Sequence, residues 1–139
     1  MARAAGLADR FIFAGLVPPT DVGRHVGLMD CLVHLSRREG LPRALPQALA
    51  AGKPVVAYDC DGAGEVCREG ETGFLIRPDD HGTLIDRLML LAQRPDLRAQ
   101  LGEAGRAFVR ERFSIQRLVD DQHALYLRLT AERHWAAAH

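Results

Sequence analysis

The stretch S-R-R-E-G-L-P-R-A-L-P-Q-A-L-A-A-G-K-P-V-V-A-Y, Ser36 to Tyr58, decides how the rest of the chain is read. Just before it, Met29-Asp30-Cys31-Leu32-Val33-His34-Leu35 is short and mostly apolar, and reads as a strand buried on both faces. Pro54-Val55-Val56-Ala57 is a second such run. Between the two lies a polar loop with Glu39 and Gly40, then a helix predicted from Pro42 to Ala51, which Gly52 stops. Pro46 falls early in that helix and delays its regular start by a turn. A strand–loop–helix–strand unit with the usual right-handed crossover has parallel strands. Ligands of such sheets collect beyond the carboxyl ends of the strands, where loop amides and helix N-termini point. Glu39 and Gly40 fall there, which predicts a site for an anionic small molecule.

The chain has 139 residues, the length of one domain, and is long enough to bury roughly two thirds of its unfolded surface. Lys plus Arg and Asp plus Glu number 18 each, so the net charge is zero and no nucleic-acid or membrane-surface partner is expected. The longest apolar run, Leu88 to Ala92, is too short to span a bilayer. No charged-then-apolar leader precedes Phe11, so secretion is not expected. Cys31, Cys60 and Cys67 are spaced as neither a disulfide framework nor a zinc motif, which fits a reduced, cytoplasmic setting.

Taken in order, Met1 to Asp9 reads as the last turns of a helix and Arg10 to Gly15 as a short strand. Pro18-Pro19 breaks the chain, and Thr20 is the expected N-cap of a short helix, Asp21 to Gly27. Past Tyr58, Asp59 to Glu65 is a Gly-containing loop at a strand's carboxyl end, and a helical turn to about Arg68 follows. Phe74-Leu75-Ile76 is a further strand, and an aspartate of Pro78-Asp79-Asp80 caps the next helix. Leu84, Ile85, Leu88, Met89, Leu91 and Ala92 form an apolar stripe on a helix ending before Pro95. Leu97, Leu101, Ala104 and Phe108 mark another helix, to about Arg112. Ser114 caps the last one, with Ile115, Leu118, Val119, Leu125 and Leu129 as its inward face. One domain over 1–131 and a loose tail over 132–139 are expected.

Glu39-Gly40-Leu41-Pro42 and Ala48-Leu49-Ala50-Ala51-Gly52-Lys53-Pro54-Val55-Val56-Ala57 resemble the donor-binding, C-terminal domain of GT-B glycosyltransferases. The branch is the large retaining one with an E-x(7)-E motif, the family 4-like or group 1 glycosyl transferases. The resemblance continues through Gly62 to Glu65, Gly70-Glu71-Thr72-Gly73-Phe74-Leu75-Ile76, Pro78-Asp79-Asp80 and Arg112-Phe113-Ser114, spanning Phe11 to about Leu129. It implies an α/β fold: a partial Rossmann-like parallel sheet with flanking helices, lacking its first two strands, which with their helices need roughly 60 residues. The N-terminal acceptor domain is then missing too. In the strand order 3-2-1-4-5-6, a gap separates Phe11 to Ala14 from the other strands, leaving a three-stranded parallel core with that first strand displaced or re-paired.

The resemblance also implies roles. Glu39 is the catalytic carboxylate beside the reacting sugar carbon, because it accepts from two hydroxyls at once and favours a positive, oxocarbenium-like centre. Gly40, Leu41 and Pro42 lie against the donor sugar and diphosphate, although Pro42 has no N–H to donate. Gln47 stands where the family most often has a second glutamate clasping the ribose; an amide there costs about 1–2 kcal/mol of nucleotide affinity. Ser36, Arg38, Gly62, Gly64 and Glu65 are further candidates, and Arg37 joins Arg38 as a loop cation near phosphate.

Against these stand plainer readings. Glu39 could cap the helix, Gln47 could face solvent, and Glu65 could answer the helix dipole. His34 reads as a packed core residue, Lys53 as a cation suited to a helix C-terminus, and Asp79 and Asp80 as caps rather than metal ligands. The resulting expectation is a retaining transferase using a nucleotide-diphospho-sugar donor, with no cofactor and no metal. The fragment is expected to be inactive alone, to dimerise through exposed apolar surface, and to reach a membrane only peripherally, through the missing domain. A sugar-nucleotide epimerase and a non-catalytic nucleotide-sugar-binding or docking module are the alternatives.

Overall fold

A computed structural model describes residues 3–137, with side chains described through residue 132. Three strands, β1 (Leu32–His34), β2 (Val55–Tyr58) and β3 (Gly73–Ile76), form one parallel sheet in the order β1-β2-β3. Leu32 lies beside Val55 and Val55 beside Gly73, so the strands advance in step. The described residues also form six α-helices, α1 (Pro19–Gly27), α2 (Ala44–Ala50), α3 (Ala63–Val66), α4 (His81–Gln93), α5 (Pro95–Arg112) and α6 (Ile115–Ala137), and one 3-10 turn at Ala8–Arg10.

β2 is central, and all four of its residues are buried. Successive side chains leave a strand on opposite faces. Val55 and Ala57 pack with Leu45, Ala48 and Leu49 of α2, Val66 of α3 and Phe108 of α5. Val56 and Tyr58 pack on the other face with Phe74, Ile76, Leu91 of α4 and Leu101 of α5. The continuous apolar run of β2 is therefore explained by helices on both faces. β1 differs from expectation: Val33 is exposed, while Leu32 and His34 are half-buried. Among the described residues it pairs with β2 alone; β3, the other edge strand, is largely buried, so the exposure of β1 reflects sparse packing on its faces and not its edge position.

α2 begins at Ala44, two residues later than predicted, and Pro46 sits in its first turn, where a missing N–H costs no internal hydrogen bond. The helix ends as expected. Gly52 has φ +72°, its N–H donates to Leu49 O, and the Lys53 N–H donates to Ala48 O, the paired bonds of a Schellman ending. Arg106 of α5 adds a bond from Nη2 to Ala51 O (3.2 Å), satisfying another terminal carbonyl.

Four local expectations need correction. Residues 10–15 form no strand; they pair with no strand among the described residues, and Ile12 is 95% exposed. A strand gains its hydrogen bonds only from a neighbour, and the edge of β1 is not reached by this segment. Thr20 is not the N-cap of α1: Pro18 is, with Pro19 as the first helical residue, a place where proline loses nothing. α6 is capped by Ser114, whose Oγ accepts from the Arg117 N–H (3.2 Å), but its expected inward face is exposed, with Ile115 82% accessible. Apolar periodicity marks a face that wants cover; it does not say that this chain covers it. Finally, α6 runs on to Ala137 across most of the expected tail, and residues 138 and 139 lie outside those described.

Candidate functional site

Three loops meet at the carboxyl ends of the strands. The first, residues 35–43, leaves β1 carrying Glu39, Gly40 and Leu41, all exposed, and Pro42, which is buried. The second, residues 59–62, leaves β2, and the third, residues 77–80, leaves β3. Asp61 of the second loop accepts the backbone N–H of Glu39 on Oδ2 at 3.0 Å. Asp61 has φ +45°, in the left-handed region that aspartate tolerates better than most side chains. Next to it, Gly62 lies so close to the first loop that a Cβ there would stand 1.9 Å from Gly40 O. Only a glycine permits this approach. Arg37 of the first loop pairs with Asp79 of the third. The three strand ends are thus tied through the loop that carries Glu39.

The Glu39 side chain turns neither into the core nor away from the strand tips. Its Oε2 lies 2.6 Å from Nε2 of His34, the last residue of β1, with the histidine side chain 22% exposed and the glutamate 46%. An ionised carboxylate can only accept, so Nε2 carries the proton in this bond. One carboxylate oxygen is engaged, and the other has no hydrogen-bond partner among the described residues. Glu39 does not cap α2, whose first turn makes no side-chain cap bond.

The remaining candidates fall around this centre. Ser36 is half-buried on the first loop, and Arg38 is exposed there with no carboxylate partner among the described residues. Gln47 is exposed on α2 and lines a shallow groove of about 390 Å³ with Leu41, Arg43, Pro46, Ala50, Val109 and Phe113. Gly64 and Glu65 line a different cleft, of about 490 Å³, with Arg68, Phe108, Arg112, Phe113, Arg117 and Asp121. Leu41 thus connects Gln47 to the Glu39 loop, whereas Gly64 and Glu65 border a separate cleft that shares Phe113 with the groove. Asp80 is the cap foreseen: its carboxylate accepts from Thr83 N (3.0 Å) and Thr83 Oγ (2.8 Å), and those bonds hold its pKa below the usual carboxylate value. Asp79 is not a cap but the partner of Arg37, which in turn makes that arginine part of the loop frame.

Two residues of the site were missed in the sequence. His34 is the side-chain partner of Glu39 rather than a simple core residue; a polar residue closing an apolar strand at its carboxyl end is the signal that could have found it. Asp61 holds the Glu39 backbone from 22 residues away, and only its place beside Gly62 in the second loop hinted at that. Among the described residues, no three His, Cys, Asp or Glu side chains gather as a metal site, and no helix is long and apolar enough to cross a membrane.

The sequence pattern of the family described as glycosyl transferases group 1 matches residues 1–108. The phosphatidyl-myo-inositol mannosyltransferase of Mycobacterium leprae is 34% identical over 111 residues, 78% of this chain and 29% of that protein. Among solved structures, Anabaena Alr3699/HepE in complex with UDP-glucose superposes with TM-score 0.82 at 26% identity, over 91% of this chain and 34% of that one. The C-terminal domain of a group 1 glycosyl transferase, LpcC of Francisella tularensis, shares the fold with TM-score 0.75 at 24% identity, over 82% of this chain and 59% of its own. The chain spans about a third of the length of the curated relatives it matches.

Proposed function

From the premise that the chain belongs to the glycosyl transferases group 1 family, with part of the Rossmann-like GT-B fold, we propose that it binds the nucleotide-diphospho-sugar donor of a retaining glycosyltransferase. The observation carrying this reading is the Glu39 carboxylate, held at the tip of β1 with one oxygen on His34 and the side chain 46% exposed. A carboxylate so placed accepts hydroxyls of the donor sugar, and its charge favours the positive character that grows at the anomeric carbon. The N–H groups of Gly40 and Leu41 and the guanidinium of Arg38, which has no carboxylate partner among the described residues, are on the same loop, suited to the diphosphate. Gln47 and Leu41 flank the groove where the ribose would lie.

In the proposed reaction the bond between the anomeric carbon and the diphosphate oxygen breaks, and the electron pair stays with the diphosphate. The acceptor hydroxyl attacks from the same face, and its proton passes to that leaving oxygen, so no general base is asked of this chain. The nucleotide sugar is substrate, and the chemistry calls for no resident metal or cofactor. The acceptor is assigned to an N-terminal domain, and the reduced cysteines suit a cytoplasmic setting.

Calorimetric titration with uridine, adenosine and guanosine diphosphates and their glucose esters tests the reading. Saturable binding of at least one ester, weakened about tenfold or more by Glu39→Ala, is expected. An ester that binds equally well to both proteins would overturn the role of Glu39.

A further inference from the structure

We propose that His34 is a positioning residue: it fixes the Glu39 carboxylate in the one orientation that meets the donor sugar. The inference rests on the donor-binding reading above and adds to it what makes the carboxylate effective. A glutamate on an exposed loop ordinarily samples many rotamers, and ordering it on a ligand opposes binding. Here both ends of the residue are already held. Asp61 accepts the Glu39 N–H at 3.0 Å, and His34 Nε2 donates to Oε2 at 2.6 Å. Those two anchors come from different strand ends, β2 and β1, which the sheet holds in fixed register. The imidazole is itself half-buried at the end of a strand, whereas the Glu39 side chain is 46% exposed. It engages one carboxylate oxygen, and the other has no hydrogen-bond partner among the described residues.

This arrangement makes a prediction that a structural histidine would not. The carboxylate concerns the sugar, and so its positioning should be felt by the nucleotide sugar and not by the bare nucleotide. Calorimetry on the purified protein would use the tightest binder among UDP-, ADP- and GDP-glucose, together with its nucleoside diphosphate. His34→Leu is expected to weaken the glucose ester about five- to tenfold and leave the diphosphate within about twofold, while His34→Gln, whose amide can still donate to Oε2, restores most of the loss. Should the leucine variant fail to fold, His34→Asn, with an amide too short to reach, takes its place. Equal losses for ester and diphosphate, or no loss for either, would overturn the positioning role. Failure of the donor-binding reading would look different: no glucose ester would respond to Glu39→Ala in the first place.

Discussion

The Asp61 carboxylate accepts the backbone N–H of Glu39 across 3.0 Å, joining the loop after β2 to the loop after β1. The bond does two things at once. It satisfies an amide in an otherwise irregular loop, and it keeps the Glu39 backbone from following its exposed surroundings. Asp61→Val removes the acceptor and puts a β-branched residue at φ +45°, which L side chains resist. We expect a loss of about 1–3 kcal/mol in stability, seen in thermal melts, and weaker binding of the glucose ester. Asp61→Asn keeps an acceptor and tolerates the same backbone, and should stay close to wild type.

Gly62→Ala should separate the two loops. The added carbon would lie 1.9 Å from Gly40 O, and both atoms belong to positions that no rotamer change can relieve. Strain of about 1–3 kcal/mol is expected, with loss of ester binding out of proportion to the fall in melting temperature. Gly64→Ala is the control: the nearest atom to its added carbon is 3.9 Å away, an ordinary contact. If Gly62→Ala binds as tightly as wild type, contact between the loops does not matter to the site.

Gln47→Glu tests the groove beside Leu41. A carboxylate accepts both ribose hydroxyls where an amide oxygen accepts at one end, so nucleoside diphosphate affinity should rise about tenfold, with no change in the additional affinity conferred by the sugar. Unchanged or weaker binding would place the ribose elsewhere.

Cys67 gives a pH prediction away from the site. Burial, reinforced by the charges of Glu69 and Asp59, pushes its thiol from 9.0 up to about 12. In the unfolded chain the thiol ionises near its ordinary value, whereas in the fold it holds its proton. The unfolded state therefore sheds protons first as pH rises, and stability should fall between about pH 9 and pH 12. Melts at pH 8 and pH 10.5, compared with Cys67→Ala, should show a smaller alkaline drop in the variant. The same burial predicts that Cys67 resists alkylation at pH 8 until the protein is unfolded.

Much of this was legible from residues 29–58 alone. The run Pro54 to Ala57 announced a strand with helices on both faces, Gly52 announced the helix end, and the crossover rule made β1 and β2 parallel. These signals are local, and the physics that enforces them is local too. What stayed hidden depends on contacts between distant segments. His34 is only five residues from Glu39, yet its role depends on the loop folding back, which apolar patterning does not encode. Asp61 and the Arg37–Asp79 pair need the sheet itself to bring three loops together. The segment from Phe11 to Ala14 has the composition of a strand but no partner strand among the described residues; the expected gap in the strand order leaves it displaced from the three-stranded core, and without a neighbour it forms no strand. The apolar residues of α6 misled, because periodicity identifies a face but not what lies against it.

The most direct measurement is a crystal structure of the protein soaked with the glucose ester that titrates tightest. A sugar hydroxyl is expected within hydrogen-bond distance of the Glu39 carboxylate, with the His34 contact intact and the diphosphate against the Gly40 and Leu41 amides. A sugar bound beyond reach of Glu39, or a Glu39 side chain swung off His34 and away from the ligand, would contradict that expectation.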